Sequence, residues 1–204
     1  MKKVILLLLF TTIVFGQKNA INKIDSVAYY IKLADFYKQK NNYKLSLSNA
    51  NNALEFASKN KDTKNKALAY TSLGTSYFEL KKINDAIDAF SKSIKELSTL
   101  PISSDLALSY YKLGMCHMSL EEYVRAEAYI NKSQEIYSAL KIENQELIDL
   151  QKGIIYKTKG KVKLATELFN NIISKPDSQD SFKTKAEALY HLGIIESKNK
   201  RYNL

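Results

Sequence analysis

Apolar and small residues recur along this chain at the three- and four-residue spacing that is typical of amphipathic helices. The pattern predicts helices over 25–40, 43–58, 63–80, 83–97, 104–120, 123–138, 143–159, 161–174 and 181–199. Asp25, Asp62, Ser103 and Ser181 stand where the first helix of each pair is expected to begin. Their short polar side chains favour the N-cap position, so they support these boundaries.

The helix pairs repeat with a nearly constant period. Three columns keep step at intervals of 39 or 40 residues: a glycine, a small residue twelve positions later and a large apolar residue sixteen positions later. They are Gly74, Gly114, Gly153 and Gly193; Ala86, Ala126 and Ala165; and Phe90, Ile130 and Phe169. The first repeat is degenerate, with Ala34, Ser46 and Ala50 in these columns. A fixed period of this length indicates a solenoid in which each unit covers its neighbour's apolar face.

Tyr70-x-x-Leu73-Gly74-x-x-Tyr77, followed by Ala86-x-x-x-Phe90, resembles the tetratricopeptide repeat, and the resemblance covers the chain after about residue 25. It implies an all-α fold, a right-handed superhelix (solenoid) of antiparallel helix pairs. The repeat here is longer than the family's usual unit of about 34 residues. We therefore expect longer second helices or longer loops between repeats, two of which would contain Pro101 and Pro176.

The first sixteen residues are predicted to be a signal peptide. Two lysines precede an apolar run, and Gly16 is a suitable residue before a cleavage site. The run from Val4 to Phe15 is shorter than the roughly 18 residues of a membrane span. An uncleaved membrane anchor is the alternative. The leader predicts an exported, periplasmic protein, and residues 17–24 are interpreted as a short linker.

Residues 25–204 are interpreted as four complete helix pairs and the first helix of a fifth. Tyr202 falls in the column that opens each second helix, so the chain is expected to stop within a repeat. On that interpretation the apolar side of the last helix, which includes Leu189, Leu192 and Ile195, lacks its usual cover.

The chain carries a formal net charge of +10. Its only arginines are Arg125 and Arg201, and its lysines are scattered around every helix. Proteins that bind nucleic acid concentrate charge in one stripe and favour arginine. We therefore expect a solvated lysine-rich surface and no nucleic-acid partner.

The sequence predicts a protein without catalytic residues, metal or cofactor. Every glycine is used by the repeat, a turn or the leader, so none remains for a phosphate-binding loop. His117 replaces the tyrosine of its column and is expected to pack, whereas His191 is expected to face solvent. Cys116, the only cysteine, is expected to be a small buried residue.

The tetratricopeptide resemblance implies a ligand-binding face on the first helix of each pair. In that family, the positions six and three before the glycine column and one and four after it line a concave groove for peptides. In this chain the face also includes Leu108 and Leu147, and the candidate groove residues on it are Phe78, Tyr111, Met115, Met118, Leu150, Ile154, Tyr190 and Ile194. The alternative is that these side chains pack against other parts of the same chain.

Two functions remain open from the sequence. The first is an exported scaffold that binds a protein or peptide partner and has no catalytic activity. The second is the sensory region of a larger signalling protein, because a leader followed by such repeats is similar to the extracytoplasmic regions of bacterial sensor histidine kinases. In either case membrane association would come only from an uncleaved leader or from a segment beyond residue 204.

Overall fold

The computed structural model describes residues 27–142, 145–176 and 181–202, with side chains described as far as residue 198. The predicted signal peptide and linker, and the cap predicted at Asp25, lie outside these residues. Within the described ranges, no helix combines the length and the apolar character needed to cross a membrane.

Every regular element in the described ranges is an α-helix. In chain order they are α1 (27–39), α2 (Tyr43–Lys59), α3 (Thr63–Glu79), α4 (Ile83–Leu97), α5 (Ser104–Ser119), α6 (Tyr123–Ala139), α7 (Gln145–Thr158), α8 (Val162–Ser174) and α9 (Ser181–Tyr202). The predicted all-α fold is confirmed, and most predicted helix ends lie within two residues of the observed ones.

The chain forms two compact units, one ending at Pro101 and one beginning at Ile102. In the first unit, α3 packs against both α2 and α4. Small side chains fill the space between its helices, with Ala34, Ala50 and Ala89 clustered around Leu73. In the second unit, α5 packs on α6, α6 on α7, α7 on α8, and α9 on both α7 and α8. Successive helices are therefore packing partners within each unit.

The glycine column marks the closest approach of the two helices in a pair. A Cβ atom at Gly74 would lie 2.8 Å from the Phe90 ring, and one at Gly153 would lie 2.5 Å from the Phe169 ring. At Gly114 the same atom would lie 2.8 Å from Ile130. Real Cβ contacts are almost never this short, so these three glycines occupy equivalent places and admit the large residue of the second helix.

The corners between helices share one backbone geometry. Asn41, Lys81, Glu121 and Gly160, each seven residues after the glycine column, all have positive φ angles of 56° to 74°. At the α3–α4 corner, the Lys82 N–H donates to the Tyr77 carbonyl over 2.9 Å, and the Lys81 N–H donates to the Phe78 carbonyl over 3.0 Å. This hydrogen-bond pair is the Schellman helix ending. The ending is therefore kept even where lysine or glutamate must adopt the left-handed conformation.

The extra length of the repeat is placed in two different ways. The second helices α2 and α6 are long, with 17 residues each. The second helices α4 and α8 have 15 and 13 residues and are followed by the segments that contain Pro101 and Pro176. Both predicted solutions, longer helices and longer loops, are therefore used.

The predicted N-caps at Asp62, Ser103 and Ser181 have different outcomes. Asp62 accepts a hydrogen bond from the Asn65 N–H over 3.0 Å, and Ser103 accepts one from the Leu106 N–H over 3.4 Å. Both are N-caps as predicted. Ser181 is instead the first residue of α9 and is buried.

Helix α9 is only partly covered. Ile195 is buried and Leu192 packs beside it, both in a cluster with Phe169 and Leu150 of α8 and α7. Leu189 is 55% exposed. The expectation of a bare apolar side is thus wrong for Ile195 and Leu192, because α7 and α8 of the preceding pair reach them.

A pair of matched glycine substitutions tests the close-approach contact. We expect Gly153→Ala to destabilise the second unit by about 1–2 kcal/mol, since overpacking costs about 1–3 kcal/mol and is only partly offset by about 1 kcal/mol of helix propensity. Gly193→Ala should instead slow amide hydrogen exchange in α9. A Cβ atom there meets nothing within 4 Å, so only the higher helix propensity of alanine acts. Hydrogen exchange of α8 and α9 measures both, and equal effects of the two substitutions would contradict the contact.

Candidate functional site

Tyr111 links the first helices of two successive pairs in the second unit. Its hydroxyl on α5 hydrogen-bonds to the side chain of Gln151 on α7, and Glu187 on α9 is close enough to act on it electrostatically. Burial raises the pKa of Tyr111 to about 12, so the ring carries a neutral hydroxyl at physiological pH. The hydrogen bond links α5 to α7, and α7 in turn packs against α9.

Four of the eight candidate groove residues contribute to the packing between these helices. Tyr111 and Met118 pack against a buried cluster formed by Ala126, Ile130, Ile148 and Ile155. Leu150, which is 1% exposed, and Ile154 belong to the cluster around Phe169. The structure therefore places Leu150 beneath the surface, while the other three are half-buried.

The remaining candidates of the second unit are accessible. Tyr190 is 65% exposed, and Met115 and Ile194 are half-buried. Two further apolar residues on the same helical positions, Leu108 and Leu147, are 36% and 43% exposed. We call the set Leu108, Met115, Leu147, Ile154, Tyr190 and Ile194 the apolar face. Leu108 and Leu147 lie six residues before the glycine column, where the sequence predicts the same face.

Phe78 lies in the first unit, where the corresponding positions are more polar. It is half-buried, and the Lys81 ammonium lies 5.8 Å from the centre of its ring. On α1 the equivalent positions carry Asp35 and Lys38, which form an ion pair of 2.6 Å. Apolar groups suited to a ligand are therefore concentrated in the second unit.

A cavity of about 260 Å³ opens between α2, α3 and α4 in the first unit. Tyr70, Tyr77, Asp85, Asp88 and Lys92 supply its polar lining. The Lys92 ammonium donates to Asp88 over 2.6 Å, which neutralises that carboxylate. The volume is below the roughly 300–1,000 Å³ of pockets for small ligands. The cavity is thus a narrow gap between helices, and the apolar face is the better candidate site.

A family model of the tetratricopeptide repeat matches residues 67–96 and 107–140, which correspond to most of α3 and α4 and of α5 and α6. These two stretches are tetratricopeptide repeats. A search of curated proteins finds no match to it.

Solved structures with the same fold share little sequence with this chain. Rap protein complexed with Competence and Sporulation Factor is 19% identical with a TM-score of 0.67, and the match covers 81% of this chain and 44% of that one. Aspartyl phosphate phosphatase F from Bacillus subtilis is 18% identical with a TM-score of 0.68, covering 73% and 39%. This chain therefore spans less than half the length of these two proteins.

A third similar structure has a comparable length. The nearly identical TPR-like repeats of a putative kinesin light chain from Podospora anserina are 13% identical, with a TM-score of 0.66 over 85% of this chain and 90% of that one. At these identities the comparisons show the shared repeat fold.

Two residues of α5 outside the apolar face serve the tetratricopeptide packing as predicted. His117 is 7% exposed, stacks on Tyr129 with ring centres 5.2 Å apart and places Nδ1 2.7 Å from Glu122. Cys116 is fully buried, and burial raises the pKa of its thiol to about 12. Such a thiol is protonated at neutral pH and is a poor nucleophile.

The prediction that His191 faces solvent is wrong. Its ring is half-buried and stacks on Phe169 with centres 5.5 Å apart, and its Nδ1 lies 2.8 Å from the Lys157 ammonium. Burial and then the charge of Lys157 lower the pKa of His191. The sequence pattern missed this because the contact depends on how α9 lies against α7 and α8.

The lowered pKa of His191 predicts that acid destabilises the second unit. The unfolded chain binds a proton at His191 as pH falls through about 6.5, whereas the folded chain resists it until a lower pH. Stability should therefore be level above about pH 7.5 and decline towards pH 5.5. Urea unfolding at pH 8 and pH 5.5 measures this, and His191→Gln should reduce the difference. An unchanged pH difference in the variant would contradict the prediction.

Proposed function

We propose that this chain is an exported tetratricopeptide scaffold without catalytic activity, which binds a peptide or an extended segment of a partner protein along its second unit. The observation that carries the proposal is the apolar face itself. Leu108, Leu147 and Tyr190 lie on the first helices of three successive pairs and remain 36% to 65% exposed. Exposed apolar side chains grouped on one surface are typical of protein interaction sites.

The chemistry of the apolar face suits an apolar segment with a polar backbone. Met115 and Ile154 provide half-buried apolar contact area, and methionine adapts its shape to different ligands. Lys157 and Glu187, both half-buried, provide charged groups at the same helical positions. Rap protein, which shares this fold, has been crystallised in complex with Competence and Sporulation Factor, and this supports a binding role for the fold.

We propose a protein without catalytic activity because its cysteine and His117 are buried and engaged in packing. The Cys116 thiol is buried and protonated, and the His117 ring is committed to Tyr129 and Glu122. Among the described residues, no group of three or more histidine, cysteine or acidic side chains is arranged to hold a metal ion. The side chains that remain accessible on the apolar face are suited to binding.

A peptide array of random sequences, probed with the purified chain, tests the binding function. Leu147→Glu should weaken binding at least about tenfold, because it places a charge among desolvated apolar contacts. Leu147 is itself exposed, so the substitution should leave the fold intact.

Val124→Glu is the matched control for this experiment. Val124 is 74% exposed on the second helix α6 and lies outside the apolar face, so its substitution introduces the same charge elsewhere. Peptide binding that falls equally in both variants would argue for nonspecific adhesion. A wild-type chain that binds no peptide on the array would contradict the proposed function.

The export part of the proposal rests on the leader sequence. If the signal peptide is removed after Gly16, the mature protein begins at Gln17. Mass spectrometry of the N-terminal peptide from periplasmic extract should find that end. Protein that retains Met1 and stays with the membrane fraction would instead favour the uncleaved anchor.

The same leader supports a second candidate, the sensory region of a larger signalling protein. Here the apolar face would receive the signal, and a membrane segment and kinase region would follow residue 204. The coding sequence downstream of that residue distinguishes the two: a spanning helix followed by a histidine-containing helix favours the sensor.

A further inference from the structure

The cavity between α2, α3 and α4 is bordered by two tyrosine rings and a small side chain. In the positions four before, three after and fifteen after Gly74, the chain carries Tyr70, Tyr77 and Ala89. Both rings are half-buried, and both pack on the cluster that contains Leu73 and Ala89. The cavity is therefore the space beside Ala89 that its short side chain does not fill.

The next repeat fills the corresponding space with an aromatic ring. In the same three positions relative to Gly114 it carries Tyr110, His117 and Tyr129. The Tyr129 ring stacks on Tyr110 with centres 6.3 Å apart and on His117 with centres 5.2 Å apart, at interplanar angles of 22° and 16°. A planar ring is thus what the repeat holds at this place, and Ala89 leaves the place open.

The charged groups that line the cavity favour a cation. They are Asp85, Asp88 and Lys92, all on α4. The Lys92 ammonium is paired with Asp88 over 2.6 Å, whereas Asp85 forms no ion pair in the described part of the chain. Asp85 lies in the first turn of α4, where the helix dipole stabilises its negative charge. One ionised carboxylate of the lining is therefore left without a counter-charge.

Lys92 shows that a cation is held at one of the two rings. Its ammonium lies 5.9 Å from the centre of the Tyr70 ring, which is within the range of a cation–π contact. The Lys92 side chain is 50% exposed, so it can turn into solvent when another cation takes its place. A ligand that joins a ring to an ammonium group would use the open space, the Tyr70 face and the Asp85 carboxylate together.

We propose that this cavity binds a small organic cation, which consists of one aromatic ring with an ammonium group on a short chain. The ring lies between Tyr70 and Tyr77 beside Ala89, as the Tyr129 ring does in the next repeat, and the ammonium group faces Asp85. The volume of about 260 Å³ is below that of pockets that enclose drug-sized ligands, and it suits a single ring. The site lies in the first unit and is separate from the apolar face.

Titration of the purified chain with 2-phenylethylamine, followed by NMR, tests the proposal. The amine should bind saturably and shift the ring resonances of Tyr70 and Tyr77. Two analogues test the two parts of the ligand: 2-cyclohexylethylamine keeps the ammonium group but lacks the aromatic ring, and 3-phenylpropionate keeps the ring but carries a carboxylate. Each should bind at least about threefold more weakly. Equal affinity for either analogue, or no saturable binding of the amine, would overturn the proposal.

Ala89→Tyr tests the place of the ring. The substitution supplies from within the chain the ring that Tyr129 supplies in the next repeat. It should abolish binding of 2-phenylethylamine, and circular dichroism checks that the variant keeps its helix content. Binding that survives in the folded variant would overturn the proposal.

Two substitutions of exposed residues test the charges without changing the packing. Asp85→Asn should weaken binding of the amine about two- to fivefold, because it removes the unpaired carboxylate. Lys92→Gln should strengthen binding, because it removes the ammonium that the ligand displaces. Asp105→Asn is the matched control, since it removes a carboxylate from the first turn of α5 in the second unit. Equal losses in Asp85→Asn and Asp105→Asn, or weaker binding to Lys92→Gln, would overturn the proposal.

Discussion

The fold depends on the close approach of two helices at a glycine. Each complete repeat with a glycine in this column pairs it with a large apolar residue, Phe90, Ile130 or Phe169, whose atoms occupy the space of the missing side chain. This contact sets the distance between the two helices, and the small residues around it follow from that distance. Repeat one reaches the same end with Ala34 and Ala50, both fully buried. It keeps the approach close by making both partners small.

The corners show how strongly this packing governs the backbone. Lys81 and Glu121 adopt the left-handed conformation, which costs a residue other than glycine roughly 1–2 kcal/mol. They do so because the position seven residues after the close contact must end one helix and turn the chain into the next. The turn is thus determined by its place in the repeat. Residue type is secondary, as the shared hydrogen bonds at Asn41, Lys81 and Gly160 show.

Within the second unit, the same packing divides the first-helix side chains into buried and accessible sets. Tyr111 on α5 hydrogen-bonds to the side chain of Gln151 on α7. Leu150 is covered by Phe169 of α8 and Ile195 of α9, while Leu147 and Tyr190 remain exposed. The exposed side chains of the apolar face therefore follow from the regular stacking of the helix pairs.

The sequence by itself determined the period, the helix bounds, the glycine contacts and the burial of Cys116 and His117. These depend on spacing along one or two adjacent helices, where equivalent residues of successive repeats have equivalent surroundings. Only the tertiary structure decided which of the groove candidates are accessible, that His191 stacks on Phe169, and that Ile195 is buried while Leu189 is not. Each of these depends on a helix from the neighbouring pair. Residue spacing identifies the side of a helix on which a residue lies, but the angle at which the next pair packs decides whether that side is covered.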